Sequence, residues 1–311
     1  MARASFRHAG AVAAVILALF AGSSAGAEGA QTRVFACEPE WASLARTIGD
    51  ADVEVFSATT ESQDPHHIRA RPGLIAQIRH AQLVFCSGAG LEVGWLPILM
   101  QRGAAAGVQP GTAGYLMAAD HVEVIEKPVV VDRSHGDIHP EGNPHVHLDP
   151  RNIPRVAREL AQRLAQIDPA NADRYQARFA AFDQEWSRLL DAWEARAKPL
   201  QGLPVVVHHK SWSYLIRWLG LREVATLEPK PGVPPTASHL QGLLERLRGD
   251  PPAAVIRSQI DSPAPAQWLA EKTGVPHIEF PFTVARDAGP GALADLFAGI
   301  LDRLEKVSTN P

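Results

Sequence analysis

The sequence predicts an α/β protein of two lobes, each with a small parallel sheet flanked by helices, joined by one long rigid helix. Three observations carry this. The first half alternates strand-like and helix-like segments. The same rhythm restarts after about residue 200. Between them, Asn171 to Ala197 is an unbroken helical pattern without glycine or proline. The expected boundaries are a leader over 1–27, a first lobe over 28–168, the linking helix over 169–200 and a second lobe over 201–311.

The leader reads as an export signal. Arg3 and Arg7 give a positive start, Ala9 to Phe20 is apolar, and Ala25-Gly26-Ala27 is a small-x-small cleavage site. The apolar run is shorter than the roughly 20 residues that cross a bilayer, and no cysteine follows it to carry a lipid. The mature chain is expected to begin near Glu28 and to work in the periplasm. Cleavage removes two positive charges from a sequence already at −4. No basic surplus remains for nucleic acid and no lysine stripe for a membrane surface.

In the first half, Val34-Phe35-Ala36 reads as a strand. Trp41 to Ile48 reads as a helix with Trp41, Leu44 and Ile48 on one face. Val53 to Phe56 is a strand, Pro72 to His80 a helix opened by proline, and Leu83 to Phe85 a strand. Pro150 to Ile167 is helical. The long stretch that follows places Tyr175, Phe179, Phe182, Trp186, Leu189 and Trp193 at three- and four-residue steps. In the second half, Val205 to Val207, Ala254 to Ile256 and Ile278 to Phe280 read as strands. Ser211 to Trp218, Pro263 to Thr273 and Ala292 to Val307 read as helices, the second closed by Gly274. Glu228 to Pro235, with four prolines, is expected to be an ordered loop.

The two cysteines, Cys37 and Cys86, each end an apolar strand-like run. In an oxidising compartment an even count favours a disulfide, provided their Cα atoms approach within about 7 Å. The alternative is two buried free thiols. The cysteines do not form the close pair of a thiolate metal motif.

The chemistry lies in histidines. Three loops each carry a pair: His66 and His67, His145 and His147, His208 and His209. The first and third follow predicted strands, where parallel sheets bind ligands. Taken singly, each is more often a hydrogen-bonded loop residue. Together they offer neutral imidazoles from both halves of the chain, which suits Zn²⁺ better than the oxygen-seeking Mg²⁺ or Ca²⁺. Spacing alone does not separate His66 from His67 or His208 from His209. His135 and His139 sit in a polar loop that would gather metal near an entrance or support a ligand. Catalytic signals are thin: there is no zinc-protease helix and no nucleophile elbow, and Gly88-Ala89-Gly90 lacks a third glycine in place.

The ordered motifs resemble the metal-binding receptors of ABC importers for zinc and manganese, the cluster A-I periplasmic binding proteins. They are Phe35 to Trp41, Asp64-Pro65-His66-His67, Ala81 to Glu92, Asn143 to Pro150, His209 to Tyr214, Glu228 to Gly232 and Ala270 to Gly274. The resemblance spans essentially the whole mature chain. It implies a cleft between two lobes, with His66 after its proline, His145 of the Pro-His-x-x-Leu-Asp-Pro stretch, and His209 before x-Ser-Trp as ligands. A histidine in the third place looks like the zinc branch, since manganese members tend to carry glutamate there. The chain departs from the pattern after the last strand, where the family's carboxylate falls on Val284. Asp287 is the expected substitute, reaching in from three residues later, with water or Glu228 as competitors. The resemblance further implies a zinc receptor without enzymatic activity, monomeric, docking on an inner-membrane ABC permease, with a periplasmic metallochaperone as a further partner. The alternatives are a manganese receptor on the same fold and a periplasmic zinc hydrolase using Asp261 or Glu228 as base. Small lobe movements are expected, because a stiff helix is a poor hinge.

Overall fold

The computed structural model describes Met1 and residues 30–128 and 139–308; the expected leader and the His135 segment lie outside the described residues. Gln31–Pro311 forms one compact unit. It contains two four-stranded sheets, both entirely parallel.

The first sheet holds β1 (Thr32–Ala36), β2 (Val53–Ser57), β3 (Leu83–Cys86) and β4 (Tyr115–Met117). Parallel pairing needs crossovers, and helices supply them. Between β1 and β2 runs α1 (Pro39–Gly49), with proline in its first turn and Trp41, Leu44, Ala45 and Ile48 buried. Next come α2 (Pro72–Arg79) before β3 and α3 (Leu96–Gly103) before β4. The second sheet repeats the scheme with β5 (Pro204–Val207), α6 (Ser213–Leu219), β6 (Arg222–Thr226), α7 (Ala237–Leu247), β7 (Ala254–Ser258), α8 (Pro263–Thr273) and β8 (His277–Phe280). The sequence reading missed β4, β6, α3 and α7.

Each sheet places its second strand on one side of the first and its third on the other. The resulting switch points, beyond the carboxyl ends of β1/β3 and β5/β7, are where such sheets receive ligands. At the first, Cys37 and Cys86 form the disulfide, their Cα atoms 4.8 Å apart.

Two helices precede the second sheet: α4 (Ile153–Ile167) and α5 (Ala172–Ala197). The 26 residues of α5 make a rod of about 39 Å. Its two ends hold different halves. Tyr175 donates to Asp168 at 2.8 Å and Arg178 to the Gly49 carbonyl at 2.8 Å. Trp186 and Trp193 pack on Phe297 of the closing helix α9 (Ala292–Ser308), with centroids 5.9 and 5.4 Å away. Arg196 adds a pair to Glu305. No helix among the described residues is long and apolar enough to cross a membrane.

Candidate metal centre

His66 follows β2 in a 3-10 turn, Pro65–His67, whose proline pre-sets the first position. Asp64 caps that turn: its Oδ1 accepts from the His66 amide at 2.9 Å and from ring Nδ1 at 2.7 Å. Burial opposes ionisation of Asp64, but the His66 hydrogen bonds win and hold its carboxyl at about 2. With Nδ1 donating, the other nitrogen of a neutral ring, Nε2, keeps a free lone pair. His67 is far more open to solvent, its side chain 67 % exposed. The capped turn thus separates the two.

His209 lies two residues beyond β5. Its Nδ1 meets Glu228 Oε2 at 2.6 Å, and the same oxygen accepts from the Gly232 amide at 2.9 Å. Burial lowers the affinity of His209 for a proton, but Glu228 overrides it and the pKa is raised. His208 is turned into the protein and buried. His145 sits before a short 3-10 turn, Val146–Leu148, with its amide donating to Asn143 Oδ1 at 3.1 Å. Burial, followed by the neighbouring His66 and His209, pushes its pKa well below the usual histidine range. Its Nδ1 is buried without a hydrogen-bond partner.

These three converge. Candidate ligand atoms of His66, His145 and His209 all lie within 4.8 Å of one another. They line a cavity of about 140 Å³ together with Glu228, Asp261 and Phe282. A tetrahedral zinc with nitrogens at 2.0–2.1 Å needs nitrogens about 3.3 Å apart, so small side-chain shifts would complete the site. The carboxylates behind His66 and His209 fix tautomer and ring direction, the usual support for metal-ligating histidines.

Asp287 does not join them. It is exposed, and its charge acts on Arg46. The cause is local: Arg46 donates to the carbonyls of Arg286 and Ala288 at 3.2 and 3.0 Å, fastening the turn that carries Asp287 to α1. His139 approaches one of the three without joining the converging group. His139 Nε2 lies 3.1 Å from His66 Nε2. Because a neutral His66 carries its hydrogen on Nδ1 and donates it to Asp64, His139 is the donor in that contact. The sequence left His139 either near the entrance or in support of a ligand, and the fold sets it beside His66.

Residues 34–306 match the model of the family described as "Zinc-uptake complex component A periplasmic". The chain belongs to that family. It is therefore a periplasmic metal-binding component of a metal-uptake system, and the resemblance read from the motifs holds. Similar curated proteins are the manganese ABC transporter substrate-binding lipoprotein PsaA of Streptococcus pneumoniae, 25% identical over 89% of this chain and 88% of that protein. Another is the high-affinity zinc uptake protein ZnuA of Yersinia pestis, 24% identical over 75% and 77%. Among solved structures, a crystal structure of ZnuA superposes with a TM-score of 0.73 at 22% identity, covering 90% of this chain and all of that one. A cadmium-bound periplasmic metal-binding protein from Candidatus Liberibacter asiaticus gives 0.69 at 17% identity, covering 88% and all. The two-lobe fold is thus the family's fold.

Proposed function

We propose that this chain captures Zn²⁺ in the cleft between its two sheets and delivers it to a membrane ABC permease. His66, His145 and His209 are the ligands, and His139 takes the fourth place in preference to Asp287. The observation that carries the reading is the convergence of three histidines from separate loops, two of them with their Nδ1 atoms held by carboxylates. Nitrogen donors favour zinc over manganese, which prefers oxygens. The His66–His139 separation of 3.1 Å is close to the nitrogen spacing of a tetrahedral ion.

The same geometry supports binding over hydrolysis. A zinc hydrolase needs a free base beside an open coordination place. Glu228 is engaged by His209 and Gly232. Asp261 accepts from the Ser258 amide and hydroxyl at 2.7 and 2.8 Å. The leader would be cleaved near Ala27 and the receptor would work as a periplasmic monomer. Competition titration of the mature protein with zinc and manganese tests this. One tight zinc per chain, held at least a hundredfold better than manganese and weakened strongly by His66→Ala or His209→Ala, is the expected result. His139→Ala is expected to weaken it less, and Asp287→Asn to leave it unchanged. Preference for manganese would assign the site to the other metal of the family's relatives.

A further inference from the structure

Behind His145 lies a second polar cluster with no part in ligation. His147 is fully buried, Glu40 is 1 % exposed and Thr283 is 8 % exposed. They come from three distant segments: the loop before α4, the first turn of α1, and the segment after β8. His147 Nε2 donates to the Phe282 carbonyl at 3.0 Å, since a carbonyl only accepts. Its Nδ1 lies 3.3 Å from Glu40 Oε1 without a hydrogen bond, and the Thr283 hydroxyl donates to Glu40 Oε2 at 2.5 Å. Residues 282 and 283 are thereby tied from two sides to elements that precede α5. Phe282 is also held from its own half, its amide donating to Gln259 Oε1 at 2.8 Å.

The Phe282 ring turns this cluster toward the metal. It meets the His145 ring edge-on at 5.3 Å and the His147 ring at 5.3 Å, and it lines the histidine cavity. His145 has no polar partner on Nδ1 to orient it, unlike His66 and His209 with their carboxylates. Packing must do for His145 what hydrogen bonds do for the other two.

We propose that His147, Glu40 and Thr283 form a buried clamp that positions His145 through Phe282 and so sets how long the metal is retained. The clamp rests on the three-histidine site. It substitutes for the missing carboxylate behind His145 and couples that ligand to contact between the two halves. His147 is a positioning residue and does not touch the ion. Because the clamp is buried and none of its three residues lines the cavity, its effect falls on metal escape and not on encounter.

The test is metal dissociation, followed by transfer of zinc from the loaded mature protein to an excess of chelator in stopped flow. His147→Phe keeps a ring but removes the donor to Phe282 and the contact with Glu40. It is expected to raise the off-rate about tenfold with the on-rate unchanged. Thr283→Val, a milder change that guards against misfolding, should raise it a few-fold. His147→Gln, whose amide reaches the same carbonyl, should recover part of the loss. The double variant His147→Phe with Phe282→Leu should release metal no faster than Phe282→Leu alone, since both act on one ring. The cobalt-substituted site reports geometry directly, and its visible spectrum should shift in His147→Phe. An unchanged off-rate and spectrum in folded His147→Phe and Thr283→Val, or additive effects in the double variant, would overturn the clamp. Failure of the wild-type protein to bind metal at the three histidines would instead overturn the site itself.

Discussion

Replacing Glu228 separates the role of charge from that of orientation at His209. Both the His209 ring nitrogen and the Gly232 amide engage the same oxygen of Glu228, at 2.6 and 2.9 Å. In Glu228→Gln the amide oxygen can occupy that place, so both hydrogen bonds survive and only the charge is lost. Glu228→Ala loses everything. Outer partners of metal-bound histidines are worth about 10- to 100-fold in affinity. Zinc affinity at pH 8 should therefore fall about tenfold in the glutamine variant, about 1.4 kcal/mol, and towards a hundredfold in the alanine variant. The pH dependence has a definite sign. Burial alone would lower the His209 pKa, and Glu228 raises it above the ordinary value. Metal requires the neutral ring, so wild-type binding suffers proton competition at His209 as pH falls through that raised value. The glutamine variant loses its proton at lower pH and escapes part of this competition. The affinity gap should narrow between pH 8 and pH 5.5, read by chelator competition at each pH. Equal affinities at pH 8, or a gap that widens on acidification, would refute the reasoning.

Other expectations follow from the same geometry. His67→Ala should change zinc affinity less than twofold, because its ring is largely exposed at the cavity wall and is not among the three whose ligand atoms converge; equal losses in His66→Ala and His67→Ala would reject the assignment. The disulfide spans 49 residues, a loop closure worth about 4 kcal/mol in the chain-entropy account; Cys37→Ser with Cys86→Ser should lower denaturant stability by about 2–4 kcal/mol. Glu38 and Glu92 are buried and both accept from the Ser87 amide, at 3.2 and 2.8 Å. Burial pushes Glu38 well up and Glu92 to about 7. With folded values above the unfolded one, the native state binds more protons, and stability falls as pH rises from about 4.5 through about 7. Glu92→Gln should flatten that decline, seen as a melting temperature above wild type at pH 8 and similar at pH 5.

Much of the fold was legible because apolar runs bounded by polar turns mark buried parallel strands, as in Val205 to Val207. β4 escaped because it has only three residues, and β6 because Arg-Glu-Val-Ala-Thr is a partly exposed edge strand without an apolar run. The long helix was plain, since its aromatic positions keep one period over 26 residues. At the site, the motifs gave His66, His145 and His209 by resemblance, while the residues alone left each doubled histidine open. The fold distinguishes the members of each pair through Asp64 and Glu228, which bond His66 and His209 from two and nineteen residues away. Contacts between distant segments were out of reach of any local pattern. His139 meets His66 across 73 residues and His147 meets Phe282 across 135. The position of Asp287 was equally out of reach, since its turn is fixed by Arg46, some 240 residues earlier.

The central claim is that one ion is held by imidazoles drawn from both halves of the chain. X-ray absorption at the zinc edge of the loaded mature protein tests it most directly. Four light donors at about 2.0–2.1 Å are expected, with the multiple-scattering pattern of at least three imidazoles, reduced by one in His209→Ala. A six-coordinate, oxygen-dominated shell, or a spectrum unchanged by that substitution, would contradict it.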